Sequence, residues 1–237
     1  MKQDSLRYGK VVCHGKMFTM KMFTMIQTKA VLKAVFFDLF NTLVYVHGPK
    51  PYHRLFTKLG LSSEEKHHAK RIAMTQDFPT LDDFVAVIKP DAAFSPEAFN
   101  LEEYKRDIAE EIAQTKLYPE VKDTLATLKK QGLVIGVISN LASPYKETFF
   151  LLGLDKLTDH VIFSCDVGYT KPQKEIYQLM LRKAGISAKQ VIMTGDKLPQ
   201  DVFGPKSIGM HAVLLDRKNK STYAPRITCL DDIVKYI

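Results

Sequence analysis

The run Ala34-Val35-Phe36-Phe37-Asp38-Leu39-Phe40-Asn41-Thr42-Leu43 decides how the rest of the chain is read. Four apolar, mostly β-prone residues end abruptly on an acid, and Asn41 and Thr42 suit a tight loop. A strand that is apolar throughout belongs inside a parallel sheet with both faces covered. A carboxylate at its carboxyl end then lies where ligands bind in open α/β sheets. An Asp closing a strand also serves as a turn residue or a helix cap, so its role depends on the segments downstream of it.

Three such segments occur in order. Leu133-Val134-Ile135-Gly136-Val137-Ile138-Ser139-Asn140 is another apolar strand ending in small hydrogen-bonding residues. Thr170-Lys171-Pro172 precedes a helical pattern from Glu175 to Ala184. Val191-Ile192-Met193-Thr194-Gly195-Asp196 ends a third strand on an acid, with Asp201 five residues on. Together the four segments resemble the motifs of the haloacid dehalogenase superfamily: a nucleophilic Asp, a Ser or Thr, a Lys and a Gly-Asp-x-x-x-x-Asp pair. The resemblance covers Lys33 to Ile237.

Composition bounds the alternatives. A chain of 237 residues can bury a large core, as one domain or as a domain with an insert. Its 46% hydrophobic and 25% charged content are those of a globular protein. No segment approaches the roughly 18 consecutive apolar residues of a membrane span. Cys13, Cys165 and Cys229 are odd in number and far apart, which predicts a reducing, cytoplasmic setting and neither a disulfide framework nor a zinc site. The net charge of +8 is unevenly placed. Residues 1–33 hold seven basic side chains against Asp4 alone, so six of the eight charges belong there. The remainder is nearly neutral, and neither a nucleic acid nor a membrane is an expected partner.

Residues 1–32 form a basic extension with a tandem duplication, Lys16-Met17-Phe18-Thr19-Met20 and Lys21-Met22-Phe23-Thr24-Met25. Two five-residue copies make no solenoid. Their alternation suits a short strand or hairpin, and a natural start at Met25 is an alternative reading. Strands and helices alternate from Lys33 onward. Residues 33–44 and 117–237 read as a Rossmann-like core, an α/β fold with a doubly wound parallel sheet. Between them, 45–116 shows helical patterns at Pro51–Leu59, Ser63–Met74, Leu81–Ile88 and Pro96–Thr115 and no strand; Ser95 to Ala98 reads as a helix start. Helix Pro119–Gln131 should end at Gly132, and Ser143 should cap a helix from Pro144 to Leu152. A last helix is expected from Asp201 to Ile208. The helical insert after the first strand resembles the C1-type cap of the superfamily.

Asp38, Ser139 and Asp196 all lie at carboxyl ends of predicted strands and can converge on one crevice. A carboxylate there can attack phosphorus or carbon and form a covalent intermediate. The resemblance makes Asp38 the nucleophile and assigns Asp38, Asp196 and the carbonyl of Phe40 to Mg²⁺, with Asp201 as a further or alternative ligand. Ser139 would hydrogen-bond a phosphoryl oxygen, and Lys171 would supply a point positive charge. Thr42 and Asn140 are the remaining candidate contacts to a small-molecule substrate. The histidines show no ligand spacing, and Arg54 and Arg71 read as a solvated helix face.

Phe40 departs from the pattern of most phosphatases in the superfamily, which carry a second Asp there to protonate the leaving group and activate water. An aromatic residue followed by Asn41-Thr42-Leu43 is similar to the first motif of the L-2-haloacid dehalogenases, and Tyr177 also fits that branch. Those enzymes work without metal, whereas Gly195-Asp196 and Asp201 form a metal-type pair. The favoured expectation is a Mg²⁺-dependent phosphatase of a small phosphorylated metabolite. A haloacid dehalogenase, or a catalytically weak member with a binding role, remain the alternatives. The oligomeric state is not legible.

Overall fold

The computed structural model describes residues 9–13, 16–20, 31–46, 51–89 and 100–237. The chain divides into Met1–Ala30 and Val31–Ile237. In the first unit, β1 (Gly9–Cys13) and β2 (Lys16–Met20) pair antiparallel, from Gly9 opposite Met20 to Cys13 opposite Lys16. The first copy of the duplication is therefore a hairpin strand. The second copy lies outside the described residues.

In the second unit, β3 (Ala34–Phe37) is followed by β4 (Val44–Tyr45). Four helices come next: α1 (Pro51–Lys58), α2 (Ser63–Thr75), α3 (Leu81–Ile88) and α4 (Leu101–Gln114). After β5 (Lys116–Leu117) the alternation runs through α5 (Val121–Lys130), β6 (Val134–Ser139), α6 (Lys146–Leu151), α7 (Leu154–Leu157), β7 (His160–Phe163), α8 (Ser164–Val167) and α9 (Lys174–Ala184). It closes with β8 (Val191–Gly195), a π-helical turn at Leu198–Phe203, α10 (Gly204–Ser207), β9 (His211–Leu215), β10 (Arg226–Ile227) and a 3₁₀ segment at Leu230–Tyr236.

Six strands form one parallel sheet in the order β10-β9-β8-β3-β6-β7. The chain leaves β3 towards β6 and β7, then returns to the other side with β8, β9 and β10. β3 is thus the switch point, the place where such sheets bind ligands. Its side chains alternate between two covered faces. Val35 and Phe37 join Val121, Leu125 and Leu128 of α5 in one cluster, and Ala34 and Phe36 join Ile176, Tyr177 and Met180 of α9 in the other. This is why the strand is apolar at every position.

The four inserted helices bury their own cluster, including Leu55, Phe56, Ile72, Phe84, Tyr104, Ile108 and Ile112. The Ser62 hydroxyl accepts from the Glu65 amide, and the Glu65 carboxylate accepts from the Ser62 amide, a reciprocal cap that starts α2. β4 and β5 pair antiparallel at the two ends of the insertion, with Val44 opposite Leu117 and Tyr45 opposite Lys116. Two residues per strand leave no readable alternation, so this ladder had no signal in the sequence. α4 starts at Leu101 with Asn100 as its cap; the expected start at Ser95 to Ala98 lies outside the described residues.

Three other boundaries differ from expectation for local physical reasons. Ser143 does not cap a helix: its hydroxyl accepts the amide of Phe78 at 2.8 Å and ties the insertion to the core. The expected helix from Asp201 starts earlier, at Leu198, as a π-helical turn in which the Gly204 amide reaches the Pro199 carbonyl. The sixth strand, β10, is only two residues long, too short to show a pattern in the sequence. Gly132 behaves as expected, in the left-handed region with φ +80 at the end of α5.

Gly136 lies in the middle of β6 against the buried ring of Phe36, and a Cβ there would sit 2.6 and 2.9 Å from two of its ring carbons. Gly136→Ala is expected to destabilise the fold by about 1–3 kcal/mol through overpacking. Denaturant unfolding checks this: the midpoint should fall with little change in slope. An unshifted midpoint would show that the sheet yields freely at this point.

Candidate active site

The register of the sheet brings the motif residues together before any side chain is considered. Phe37 pairs with Val137 on one side and Thr194 on the other, so Asp38 leaves the sheet beside Gly195 and near Ser139. The Asp38 amide donates to the Thr194 carbonyl at 3.0 Å, extending the ladder by one bond.

Lys171 reaches into this place from the segment before α9. Its ammonium donates to Asp38 Oδ1 at 2.6 Å and to Asp201 Oδ1 at 2.7 Å. The side chains of Lys171 and Asp201 are fully buried, and that of Asp38 is 11% exposed. Asn140 fixes where Lys171 enters. Its side-chain amide donates to the Lys171 carbonyl and accepts from the Lys171 amide, both at 2.8 Å. Asn140 was expected to touch substrate; both ends of its amide are instead engaged on the main chain of Lys171.

Asp201 is positioned by the π-helical turn. Its Oδ2 accepts from the Lys197 amide at 3.0 Å, and its own amide donates to the Lys197 carbonyl at 2.7 Å. A Cβ at Gly195 would lie 2.4 Å from Asp201 Cγ, so the glycine of the Gly-Asp pair is required by the neighbouring carboxylate. Tyr177 braces the turn from α9, its hydroxyl donating to the Gln200 carbonyl. Gly204 leaves room for that ring. Tyr177 therefore has a structural task that does not depend on which chemistry the site performs.

Carboxylate oxygens of Asp38, Asp196 and Asp201 lie within 4.8 Å of one another. Three carboxylates against one ion-paired ammonium leave a formal charge of −2. Burial pushes the Asp38 carboxyl up to about 6 against the pull of Lys171, with Asp201 and Asp196 adding repulsion. Burial likewise raises Asp196, and Asp201 adds to the effect. Burial opposes charge on Lys171, but Asp201 and Asp38 hold its ammonium above the ordinary lysine value. Asp196 Oδ1 is buried with no hydrogen-bond partner among the described residues. An all-oxygen donor set, a charge of −2 and an unsatisfied anionic oxygen together fit a hard divalent cation.

The remaining expected residues take varied positions. Ser139 is buried at the end of β6, opposite Phe163 of β7. Thr42 is buried and its hydroxyl has no partner among the described residues, as is also true of Thr194. Phe40 is half-buried and meets the ring of Tyr145 edge-on at 6.0 Å. It forms part of the wall of a cavity of about 560 Å³ between the insertion and the carboxyl end of the sheet. Arg54, read as part of a solvated helix face, ion-pairs with Glu103 and Asp107 of α4.

Two constellations escaped the sequence. Arg217 donates to the Thr42 carbonyl at 2.8 Å, pairs with Glu120 at 2.7 Å and stacks on the Tyr118 ring at 3.5 Å. It thereby ties the loop after Asp38 to the base of the insertion. Its position just past the end of β9, where site residues collect, was an available signal. The second is the hydrogen bond from the Tyr145 hydroxyl to Glu111 of α4, for which the sequence carries no pattern.

A family profile for haloacid dehalogenase-like hydrolases matches residues 32–209. The glyceraldehyde 3-phosphate phosphatase of Methanothermobacter thermautotrophicus is 28% identical over 225 residues, 86% of this chain and 97% of that protein. Further relatives of that name align over 40 to 49% of their own length. Among solved structures, a HAD phosphatase from Thermococcus onnurineus superposes with a TM-score of 0.61 at 26% identity, covering 86% of this chain and 97% of that one. A 2-haloacid dehalogenase from Pseudomonas syringae pv. tomato gives 0.64 at 22% identity, with 86% and 97% covered, a likeness of fold. The parallel sheet, the order of the four motif segments and the matched profile agree: the chain belongs to the haloacid dehalogenase-like hydrolases.

Proposed function

We propose that this hydrolase is a Mg²⁺-dependent phosphatase acting on a small phosphorylated metabolite, with α1–α4 serving as a cap over the active site. The cluster of Asp38, Asp196 and Asp201, with one buried oxygen of Asp196 left without a partner, carries the reading. A dehalogenase that works without metal has no use for it. The phosphatase names of the relatives support the same choice. The thiols of Cys165 and Cys229 are free, which supports a reducing, cytoplasmic setting. Among the described residues no helix is long and apolar enough to cross a membrane.

In this mechanism Lys171 anchors Asp38 through Oδ1, leaving Oδ2 to attack phosphorus. The ester oxygen departs with the bonding pair and an aspartyl phosphate forms. Water then attacks phosphorus, releases phosphate and restores the carboxylate. Ser139 donates to a phosphoryl oxygen, Lys171 limits repulsion between two anions, and Asn140 keeps Lys171 in place. Thr42 keeps its hydroxyl at the Asp38 loop. Mg²⁺, held by Asp38, Asp196 and Asp201 with the Phe40 carbonyl, would supply the charge neutralisation that phosphoryl transfer requires.

Hydrolysis of an aryl phosphate should require Mg²⁺ and stop in excess chelator, and Asp196→Ala should abolish it. Chloride release from 2-chloropropionate should be absent. Full activity in chelator, or chloride release, would remove the phosphatase reading and leave the dehalogenase one.

Asp38→Asn should abolish turnover and remove a pH dependence of stability that the metal-free parent shows. Folded Asp38 holds its proton up to about 6, above the ordinary 3.8, so its charged form costs stability as pH rises through that window. The melting temperature of the parent in chelator should fall relative to the variant between pH 4 and 7. Turnover within about tenfold of the parent, a barrier change of only about 1.4 kcal/mol, would exclude Asp38 as nucleophile.

Phe40 cannot protonate a leaving group, help that is typically worth about 10² to 10⁴-fold. Aryl phosphates should therefore react far faster than alkyl phosphates, with a burst as the aspartyl phosphate accumulates. Phe40→Asp should raise turnover of alkyl phosphates. Equal rates for the two classes without a burst would show that another group supplies the proton.

A further inference from the structure

Apart from Phe40 and Asn140, the residues lining the cavity beside Phe40 have no part in the mechanism above. Its apolar wall includes Phe40, Tyr52, Phe56, Met74, Leu141 and Tyr145. The rings interlock: Tyr145 meets Phe40 and Tyr52 at centroid distances of 6.0 Å each, and Tyr52 meets Phe56 at 6.0 Å. Such a wall favours a flat apolar group, which gains both burial and ring–ring contact.

Its rim has the opposite character. Lys66 and Lys70 lie one turn apart on α2 and border the cavity. Like charges at this spacing repel. Neither lysine side chain forms an ion pair or hydrogen bond with a described residue, whereas Arg54 and Lys105, on neighbouring helices, each hold two carboxylates. Glu111, the acid lining the cavity, accepts the Tyr145 hydroxyl. His67 lines the same rim and bonds the Ser63 carbonyl at 2.7 Å. The insertion thus pairs Arg54 and Lys105 with acids and leaves Lys66 and Lys70 at the rim of an aromatic chamber.

The chemistry at Phe40 points the same way independently. Without an acid at that position the leaving oxygen loses the family's usual proton donor, and a phenolate, with a pKa of about 10, carries the resulting charge far better than an alkoxide.

We propose that the substrate is an aryl phosphate bearing an anionic substituent. The ring occupies the Phe40–Tyr52–Phe56–Tyr145 chamber, the phosphate meets Asp38, and the substituent, a carboxylate or a second phosphate, lies towards Lys66 and Lys70. The proposal rests on the phosphatase reading. Attack by Asp38 breaks the aryl oxygen–phosphorus bond, and the electron pair leaves on the phenolate, which takes a proton from water. A water molecule then breaks the Asp38–phosphorus linkage, so one water is consumed for one phenol and one phosphate.

The test compares kcat/KM of the full chain with Mg²⁺ on phenyl phosphate, 4-(carboxymethyl)phenyl phosphate, hydroquinone bisphosphate and 4-phosphonooxybutanoate. The methylene insulates the leaving oxygen from the carboxylate. An anionic substituent on the ring should raise kcat/KM about fivefold over phenyl phosphate, the effect of two weakly screened ion pairs, and the gain should shrink with salt. The two anionic aryl esters separate the carboxylate and phosphate sources. The aliphatic ester should lag by at least about 10²-fold. The double variant Lys66→Glu/Lys70→Glu should invert the preference, so that phosphotyramine outruns the carboxymethyl ester. Equal values for charged and uncharged aryl esters, or a faster aliphatic ester, would overturn this inference and leave the phosphatase reading intact. Failure of all four esters with Mg²⁺ would overturn both. The parent's panel decides the matter even if the double variant does not fold.

Discussion

The buried ammonium of Lys171, held between Asp38 and Asp201, is the constraint around which the rest of the site is arranged. An ion taken out of water at this depth is tolerated only with close, well-aligned partners, and removing one partner of such a group typically costs about 3–5 kcal/mol. Each neighbouring feature serves that geometry. The Asn140 amide grips the Lys171 main chain from both sides, Gly195 yields space to the Asp201 carboxylate, and the π-helical turn aims Asp201 inward. The arrangement remains over-supplied with negative charge, because Asp196 joins two acids that share one lysine. Burial raises Asp38 and Asp196, and the neighbouring carboxylates add to the effect. On the proposed reading, this unfavourable charge is what a divalent cation and a transferring phosphoryl group would relieve, in a site whose dipoles are already in place.

The sheet sets the frame within which so crowded a site can be held. β3 has a partner on each side, and its neighbours β6 and β8 end within two residues of the same level. Their tips are therefore fixed relative to Asp38 by backbone hydrogen bonds and by packing on both faces. Arg217 extends the frame to the insertion. It binds the Thr42 carbonyl in the Asp38 loop and stacks on Tyr118 beside β5. Tyr118 in turn packs against Tyr45 of β4 at 4.8 Å. The loop bearing the acid and both strands at the base of the insertion are joined through one guanidinium.

What could be read from the sequence depends on how local its causes are. β3, β6 and β8 were legible because burial on both faces demands unbroken apolar runs, and their terminal polar residues stand out against them. Gly132 and the start of α2 were legible because turn and cap chemistry act over three or four residues. The π-helical turn was not, since it depends on Asp201 meeting Lys171 and Lys197, partners brought in by the fold. Ser143 looked like a cap because its neighbours have helical patterning, but a distant amide, that of Phe78, takes its hydroxyl. Asn140 looked like a substrate contact because it follows Ser139; only the path of the Lys171 loop shows where its amide is used. Motif positions were thus readable, and their hydrogen-bond partners were not.

The two signals that conflicted in the sequence act at different places in the structure. Asp196 and Asp201 gather with Asp38 under the switch point and set the charge of the site. Phe40 turns to Tyr145 and the cavity wall, where an Asp would face an aromatic surface and gain no counter-charge from it. An aromatic residue two places after Asp38 therefore does not argue against a metal. On the proposed function it lies on the side of the site that would meet the departing group, apart from the acid cluster. On this view the residue that resembles a dehalogenase selects what may leave, and the residues that resemble a phosphatase set what is transferred. One chain can carry both features without contradiction, because the acid cluster and the cavity wall that Phe40 joins are formed by different residues.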